Sequence, residues 1–222
     1  MKKNILAAVI DHTNLHPAAT KEDIGRLCAE AEKYGFAAVC INPWHVKYAC
    51  KLLSSGEVKV AAVAGFPLGA AVTSAKVFEA AAAVADGAQE LDFVVNVAAL
   101  KEKDLQYFCR EIKKVRAVSK EITLKVILET SLLDEKEKIV AARAAAYCGA
   151  DMLKTSTGFF GGVTIDDVKL LKEAVPGIPV KASGGIRTAD FALELLEAGA
   201  ERLGTSSACK IIGEYLDAGR KK

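Results

Sequence analysis

Short apolar runs bounded by turn residues recur eight times along the chain, and longer stretches with helical spacing lie between them. Runs of this kind read as buried strands. They fall at Ala8–Asp11, Ala37–Ile41, Val58–Val63, Glu90–Asn96, Thr123–Leu128, Met152–Lys154, Pro179–Ala182 and Arg202–Gly204. The helical stretches include one opening at Thr20, then Thr73–Asp86, Asp104–Ser119, Asp134–Cys148, Thr164–Val175 and Thr188–Ala198. Thr20 suits an N-cap, with Asp23 where a capping box places its acidic side chain. Tyr-Gly at 34–35, Asp-Gly at 86–87, Cys-Gly at 148–149 and Ala-Gly at 198–199 follow helical stretches, where glycine supplies a left-handed cap.

Regular alternation of strand and helix implies a parallel sheet. Eight units in 222 residues average about 28 residues each, which suggests closure into a single (β/α)8 TIM barrel. An open doubly wound sheet is the alternative α/β arrangement. No linker, low-complexity tract or composition break divides residues 1–222, so one domain is expected.

Charge breaks the apolar pattern in an ordered way. In Glu90–Asn96, residues 90, 92, 94 and 96 share one face, and Leu91, Phe93 and Val95 share the other. In the next strand Lys125, Ile127 and Glu129 alternate against Leu124, Val126 and Leu128. The apolar faces are expected to meet the helices. That leaves Asp92, Asn96, Lys125 and Glu129 pointing into the barrel with Lys154 and Lys181, which end the sixth and seventh strands. One such charge reads as a solvated edge. Several strands carrying charge on the same implied side do not.

Lysine is costly to bury without a partner or a task. Lys154 and Lys181 lie one strand-plus-helix unit apart, so a parallel sheet sets them side by side. A like charge nearby disfavours protonation, and a neutral lysine attacks carbonyls. The resulting imine is an electron sink for breaking the adjacent carbon–carbon bond. One lysine would form the imine, the other would tune it, and a carboxylate, Asp92, would move protons. Ser183-Gly-Gly-Ile-Arg187 and Gly204-Thr-Ser-Ser207 follow strands seven and eight, where barrels of this type commonly bind phosphate on backbone N–H groups.

Composition narrows the classes. A net charge of +2 with no basic stripe argues against nucleic acid. The Gly-Arg-Lys-Lys end reads as a solvated tail. The opening Met-Lys-Lys-Asn imitates a signal peptide, but the apolar stretch from Ile5 to Ile10 is too short for one, and no run is long enough to span a membrane. Six cysteines without a Cys-x-x-Cys pair read as reduced core thiols, which suits the cytoplasm. His12, His16 and His45 are too scattered in sequence to read as a metal motif. His12 is a candidate pocket-lining residue, and His45 is expected to face solvent or cap a helix. Trp44 is expected to pack. Cys40 either borders the pocket or fills core.

These residues together resemble the deoxyribose-phosphate aldolase family, class I aldolases that form a Schiff base. The resemblance runs nearly end to end: Asp11-His-Thr, Val39-Cys-Ile-Asn-Pro43, Gly65-Phe-Pro-Leu-Gly69, Glu90-Leu-Asp-Phe-Val-Val-Asn96, Leu124-Lys-Val-Ile-Leu-Glu-Thr130, Lys154-Thr-Ser-Thr-Gly158 and Lys181-Ala-Ser-Gly-Gly-Ile-Arg187. It implies reversible cleavage of 2-deoxyribose 5-phosphate to glyceraldehyde 3-phosphate and acetaldehyde, in deoxyribose phosphate catabolism, without a cofactor or metal. It makes Lys154 the Schiff-base lysine, Lys181 the second lysine and Asp92 the proton relay. Lys125, Gly185, Gly204, Ser206 and Ser207 become substrate-binding positions, and a homodimer is expected. Two departures stand out: Asn14 where many relatives carry an apolar residue, and Phe159 where some carry a lysine near the phosphate. Phosphate binding would then rest on backbone amides and Arg187. A Schiff-base barrel aldolase for a keto-acid or a longer sugar phosphate, and a non-catalytic partner protein, remain the alternatives.

Overall fold

The computed structural model describes residues 5–54 and 56–219. The charged tail and the first four residues lie outside the described residues. Eight strands form a closed barrel in sequence order. They are β1 (Ile10–Asn14), β2 (Ala38–Ile41), β3 (Lys59–Ala64), β4 (Glu90–Val94), β5 (Thr123–Ile127), β6 (Met152–Lys154), β7 (Val180–Ser183) and β8 (Arg202–Thr205). Every neighbouring pair is parallel, and β8 closes on β1 through His12 opposite Thr205. The expected (β/α)8 barrel is therefore the fold, and the open doubly wound sheet is excluded.

The helices are α1 (Lys21–Tyr34), α2 (Val46–Leu52), α3 (Thr73–Ala85), α4 (Val97–Lys101), α5 (Leu105–Val118), α6 (Glu135–Tyr147), α7 (Ile165–Ala174), α8 (Ala189–Glu197) and α9 (Ala208–Gly219). The capping box at Thr20 is present: the Asp23 N–H donates to Thr20 Oγ1, and the Thr20 N–H donates to the Asp23 carboxylate. Gly35 ends α1 in the left-handed conformation, with φ 72°. Among the described residues no helix is long and apolar enough to cross a membrane.

The main core lies between barrel and helices. Leu91, Phe93, Val95, Leu124, Val126 and Leu128 all belong to it, so the apolar faces of β4 and β5 meet the helices as expected. A smaller apolar cluster of Ala38, Cys40, Ala61 and Val63 fills the inside of the barrel at β2 and β3. These compact side chains leave the rest of the interior to charged groups.

Several local expectations are corrected. The first strand runs Ile10–Asn14, two residues later than expected, because Ala7–Val9 form a 3-10 turn. The fourth strand stops at Val94. Asn96 does not point into the barrel but caps α4, accepting from the Ala99 N–H. Trp44 is 84% exposed and does not pack, whereas His45 stands at the N-cap of α2 without a side-chain capping bond, buried with its Nε2 at 3.1 Å from the Ala19 carbonyl. Both sit on the 3-10 turn Pro43–His45, whose three-residue period turns adjacent side chains to different sides.

Candidate active site

Seven charged side chains from six strands meet inside the barrel. Asp11 comes from β1, Glu90 and Asp92 from β4, Lys125 from β5, Lys154 from β6, Lys181 from β7 and Arg202 from β8. Strand register sets the arrangement: Asp92 lies opposite Lys125, and Lys154 opposite Lys181.

Asp92 is the hub. Its Oδ2 accepts from Lys154 Nζ at 2.8 Å and from Lys181 Nζ at 2.7 Å. Its Oδ1 accepts from Lys125 Nζ at 2.8 Å. Burial alone would raise the Asp92 carboxyl, but Lys125, Lys154 and Lys181 outweigh it and hold it well below the usual carboxylate range. Lys181 also donates to Asp11. Burial would lower the Lys181 ammonium; Asp11 and Asp92 more than offset this and raise it. Lys125 follows the same pattern, with burial outweighed by Asp92, Asp11 and Glu90, the last at 2.5 Å. Arg202 bonds Asp11 at 2.6 Å and closes the ring.

Above this network opens a cavity of about 830 Å³ at the C-terminal ends of the strands. Lys154 lines it, although only 3% exposed; Asp92, Lys125 and Lys181 are sealed beneath. The three lysines therefore differ. Lys154 has one carboxylate contact and a view of the cavity, while Lys125 and Lys181 are each held by at least two carboxylates and have no such view. The Phe66 ring stands 6.0 Å from Lys154 Nζ, and Phe159 packs edge-on against Phe66.

Of the residues expected to bind substrate, Gly185, Gly204 and Ser206 line the cavity. Lys125 does not: it lies under Asp92 and supports the site from below. Ser207 does not line it either. Its N–H donates to Thr205 Oγ1, and its carbonyl accepts from Ile211 in the first turn of α9. His12, Asn14, Phe159 and Arg187 line the cavity. Glu129 stands above β5 and holds the loop after β6, accepting from Thr157 Oγ1 at 2.5 Å. Cys40 stays in the barrel interior, its Sγ 3.7 Å from Asp92 Oδ2, and burial and Asp92 push its thiol up to about 11.

Gly204 has a second purpose. A Cβ there would lie 2.9 Å from Lys181 Cε and 3.0 Å from Ser183 Cβ, so only glycine leaves room for the lysine. Ser183 Oγ donates to the Ser156 carbonyl, and Thr155 Oγ1 donates to the Ser183 carbonyl, tying the ends of β6 and β7 together. Glu90 shares the inward face of β4 with Asp92, as the alternation implies, whereas Asp11 and Arg202 meet only through closure of β8 on β1.

Fold and cavity together define a (β/α)8-barrel enzyme. A family model described as "DeoC/LacD family aldolase" matches residues 5–213. The chain is 54% identical over 218 residues to the deoxyribose-phosphate aldolase of Thermococcus kodakarensis, covering 96% of this chain and 97% of that one. Its identity to the corresponding protein of Brevibacillus brevis is 49% over 205 residues, 91% of this chain and 93% of the relative. The tetrameric deoxyribose phosphate aldolase structure from Aeropyrum pernix superposes with a TM-score of 0.90 at 37% identity, covering 96% and 92% of the two chains. The chain belongs to the DeoC/LacD family of aldolases and is an aldolase, a carbon–carbon lyase.

Proposed function

We propose that the protein is a single-domain class I aldolase that reversibly cleaves 2-deoxyribose 5-phosphate through a Schiff base on Lys154. The observation that carries this reading is the asymmetry among the lysines. Lys154 alone of the three lines the cavity, and it is the least tied to carboxylates. Inside the barrel three carboxylates (Asp11, Glu90 and Asp92) face four cations (Lys125, Lys154, Lys181 and Arg202), so a neutral Lys154 balances the enclosed charges; exposed Lys59 reaches Glu90 from outside at 3.6 Å.

The Lys154 amine attacks C1 of the open-chain aldehyde, and loss of water gives the iminium ion. Asp92, through a water, takes the proton from the C3 hydroxyl as the C2–C3 bond breaks. The bonding electrons pass to the iminium nitrogen, giving an enamine, and glyceraldehyde 3-phosphate leaves. Protonation of the enamine at C2 and hydrolysis release acetaldehyde and regenerate the amine. The substrate phosphate is taken by the glycine loops at 184–185 and 204–206 with Arg187. Free thiols at all six cysteines support a reducing compartment, and we place the protein in the cytoplasm.

Borohydride reduction in the presence of 2-deoxyribose 5-phosphate tests this reading. A stable adduct mapped to Lys154 is expected. An adduct on Lys181 would exchange the roles, and no adduct on folded protein would remove the Schiff-base mechanism.

Lys181 is assigned as the tuning group. Replacing it with leucine removes a cation beside Lys154 and leaves Asp11 and Asp92 less compensated. Both changes favour a protonated Lys154, so the acidic limb of the kcat/KM profile of Lys181→Leu moves to higher pH. An unmoved limb would deny Lys181 that role.

A further inference from the structure

Beside the cavity, closure of the barrel brings together three side chains that are far apart in sequence. His12 sits in the middle of β1, Glu30 lies on α1, and Cys209 occupies the first turn of α9. His12 Nε2 is 2.7 Å from Glu30 Oε2 and 3.9 Å from Cys209 Sγ. One ligand atom from each residue lies within 4.8 Å of the others. His12 is buried, the other two are half-buried, and His12 and Glu30 both line the cavity.

We propose that His12, Glu30 and Cys209 form a binding site for a borderline divalent cation, Zn²⁺ in the first instance. An imidazole, a carboxylate and a thiolate are the ligand types that zinc prefers. Zinc bonds of about 2.0–2.1 Å to N and O and about 2.3 Å to S put neighbouring tetrahedral ligands roughly 3.3–3.6 Å apart. The His12–Glu30 pair must open from 2.7 Å by about 0.6 Å, and Cys209 must close from 3.9 Å by about 0.3 Å relative to His12. The backbones are fixed on β1, α1 and α9, so side-chain rotation has to supply both changes. The thiol gives its proton to solvent as the metal binds, so thiolate and carboxylate together neutralise the dication. Three protein ligands leave a fourth position for water.

This site is separate from the lysine network and takes no part in the Schiff-base steps. Its position matters all the same. His12 pairs with Thr205, immediately before Ser206 of the loop to which the substrate phosphate is assigned. A bound cation there adds positive charge beside the anion end of the cavity.

The test is a titration of metal-stripped protein with Co²⁺ followed by Zn²⁺, read by absorption. One equivalent of Co²⁺ is expected, with a thiolate-to-cobalt charge-transfer band that Zn²⁺ displaces. Cys209→Ser should lose the band. Glu30→Gln should weaken binding by more than the roughly 10–100-fold that loss of an outer-shell partner costs. Absence of stoichiometric binding would overturn the proposal. So would a band that survives in Cys209→Ser, which would place the metal on other thiols such as Cys109 and Cys148. X-ray absorption on the zinc-loaded wild-type protein decides the matter without a variant. One sulfur with nitrogen and oxygen neighbours supports the site; a shell without sulfur refutes it.

Discussion

Lys154→Ala is expected to lose at least roughly four orders of magnitude in turnover, because it removes the nucleophile rather than a group that assists it. The variant should nevertheless fold. Lys154 makes one carboxylate contact, and Asp92 keeps Lys125 and Lys181 when it is gone. Removing a lysine from a network with one more cation than carboxylates costs little charge balance. The melting temperature should therefore stay within a few degrees of the wild type, since about 1 kcal/mol moves a chain of this size by roughly 2–4 °C. The measurements are a retro-aldol assay, thermal unfolding and borohydride trapping on the same sample. Turnover above about 1% of wild type in a folded variant would mean that Lys154 is not the covalent residue.

The parts of this site that were legible in the sequence are those that obey a local period. The side chains of β4 and β5 alternate, so Asp92 and Lys125 could be placed inside the barrel from their neighbours alone. Lys154 and Lys181 stood out because each ends an apolar strand, and the repeat length set them on adjacent strands. Contacts created by closure were not legible. Asp11 and Arg202 are 191 residues apart and meet only because β8 returns to β1. Asp11 looked like the end of an apolar run, and Arg202 like the start of one. The same closure unites His12 with Cys209. Asn96 and Glu129 fitted the alternation, but their strands end before them. Beyond the last ladder bond a side chain follows its loop, so Asn96 caps a helix and Glu129 holds Thr157. Ser207 shows the same limit, because its backbone serves the turn into α9 and not the cavity.

Asp92→Asn is expected to damage stability and activity together, and pH separates the two causes. The substitution keeps the shape but leaves Lys125, Lys154, Lys181 and Arg202 facing only Asp11 and Glu90. Breaking a buried ion pair from one side costs about 3–5 kcal/mol at neutral pH. At roughly 2–4 °C per kcal/mol, the melting temperature falls by about 10 °C. Turnover falls as well, by roughly 10²–10⁴, because the variant has no base for the C3 hydroxyl proton. The sign of the pH effect follows from the depressed carboxyl of Asp92. A carboxyl held below its unfolded value stabilises the fold above the ordinary carboxylate range. That contribution is lost as pH falls toward the folded value. Wild-type stability should therefore decline on acidification more steeply than that of Asp92→Asn, and the gap between them should narrow. Denaturant unfolding at about pH 7 and about pH 3.5 measures it directly. A gap that stays constant would mean that ionisation of Asp92 is not what holds the site together. A gap that narrows means that its charge holds three lysines in a space that would otherwise expel them.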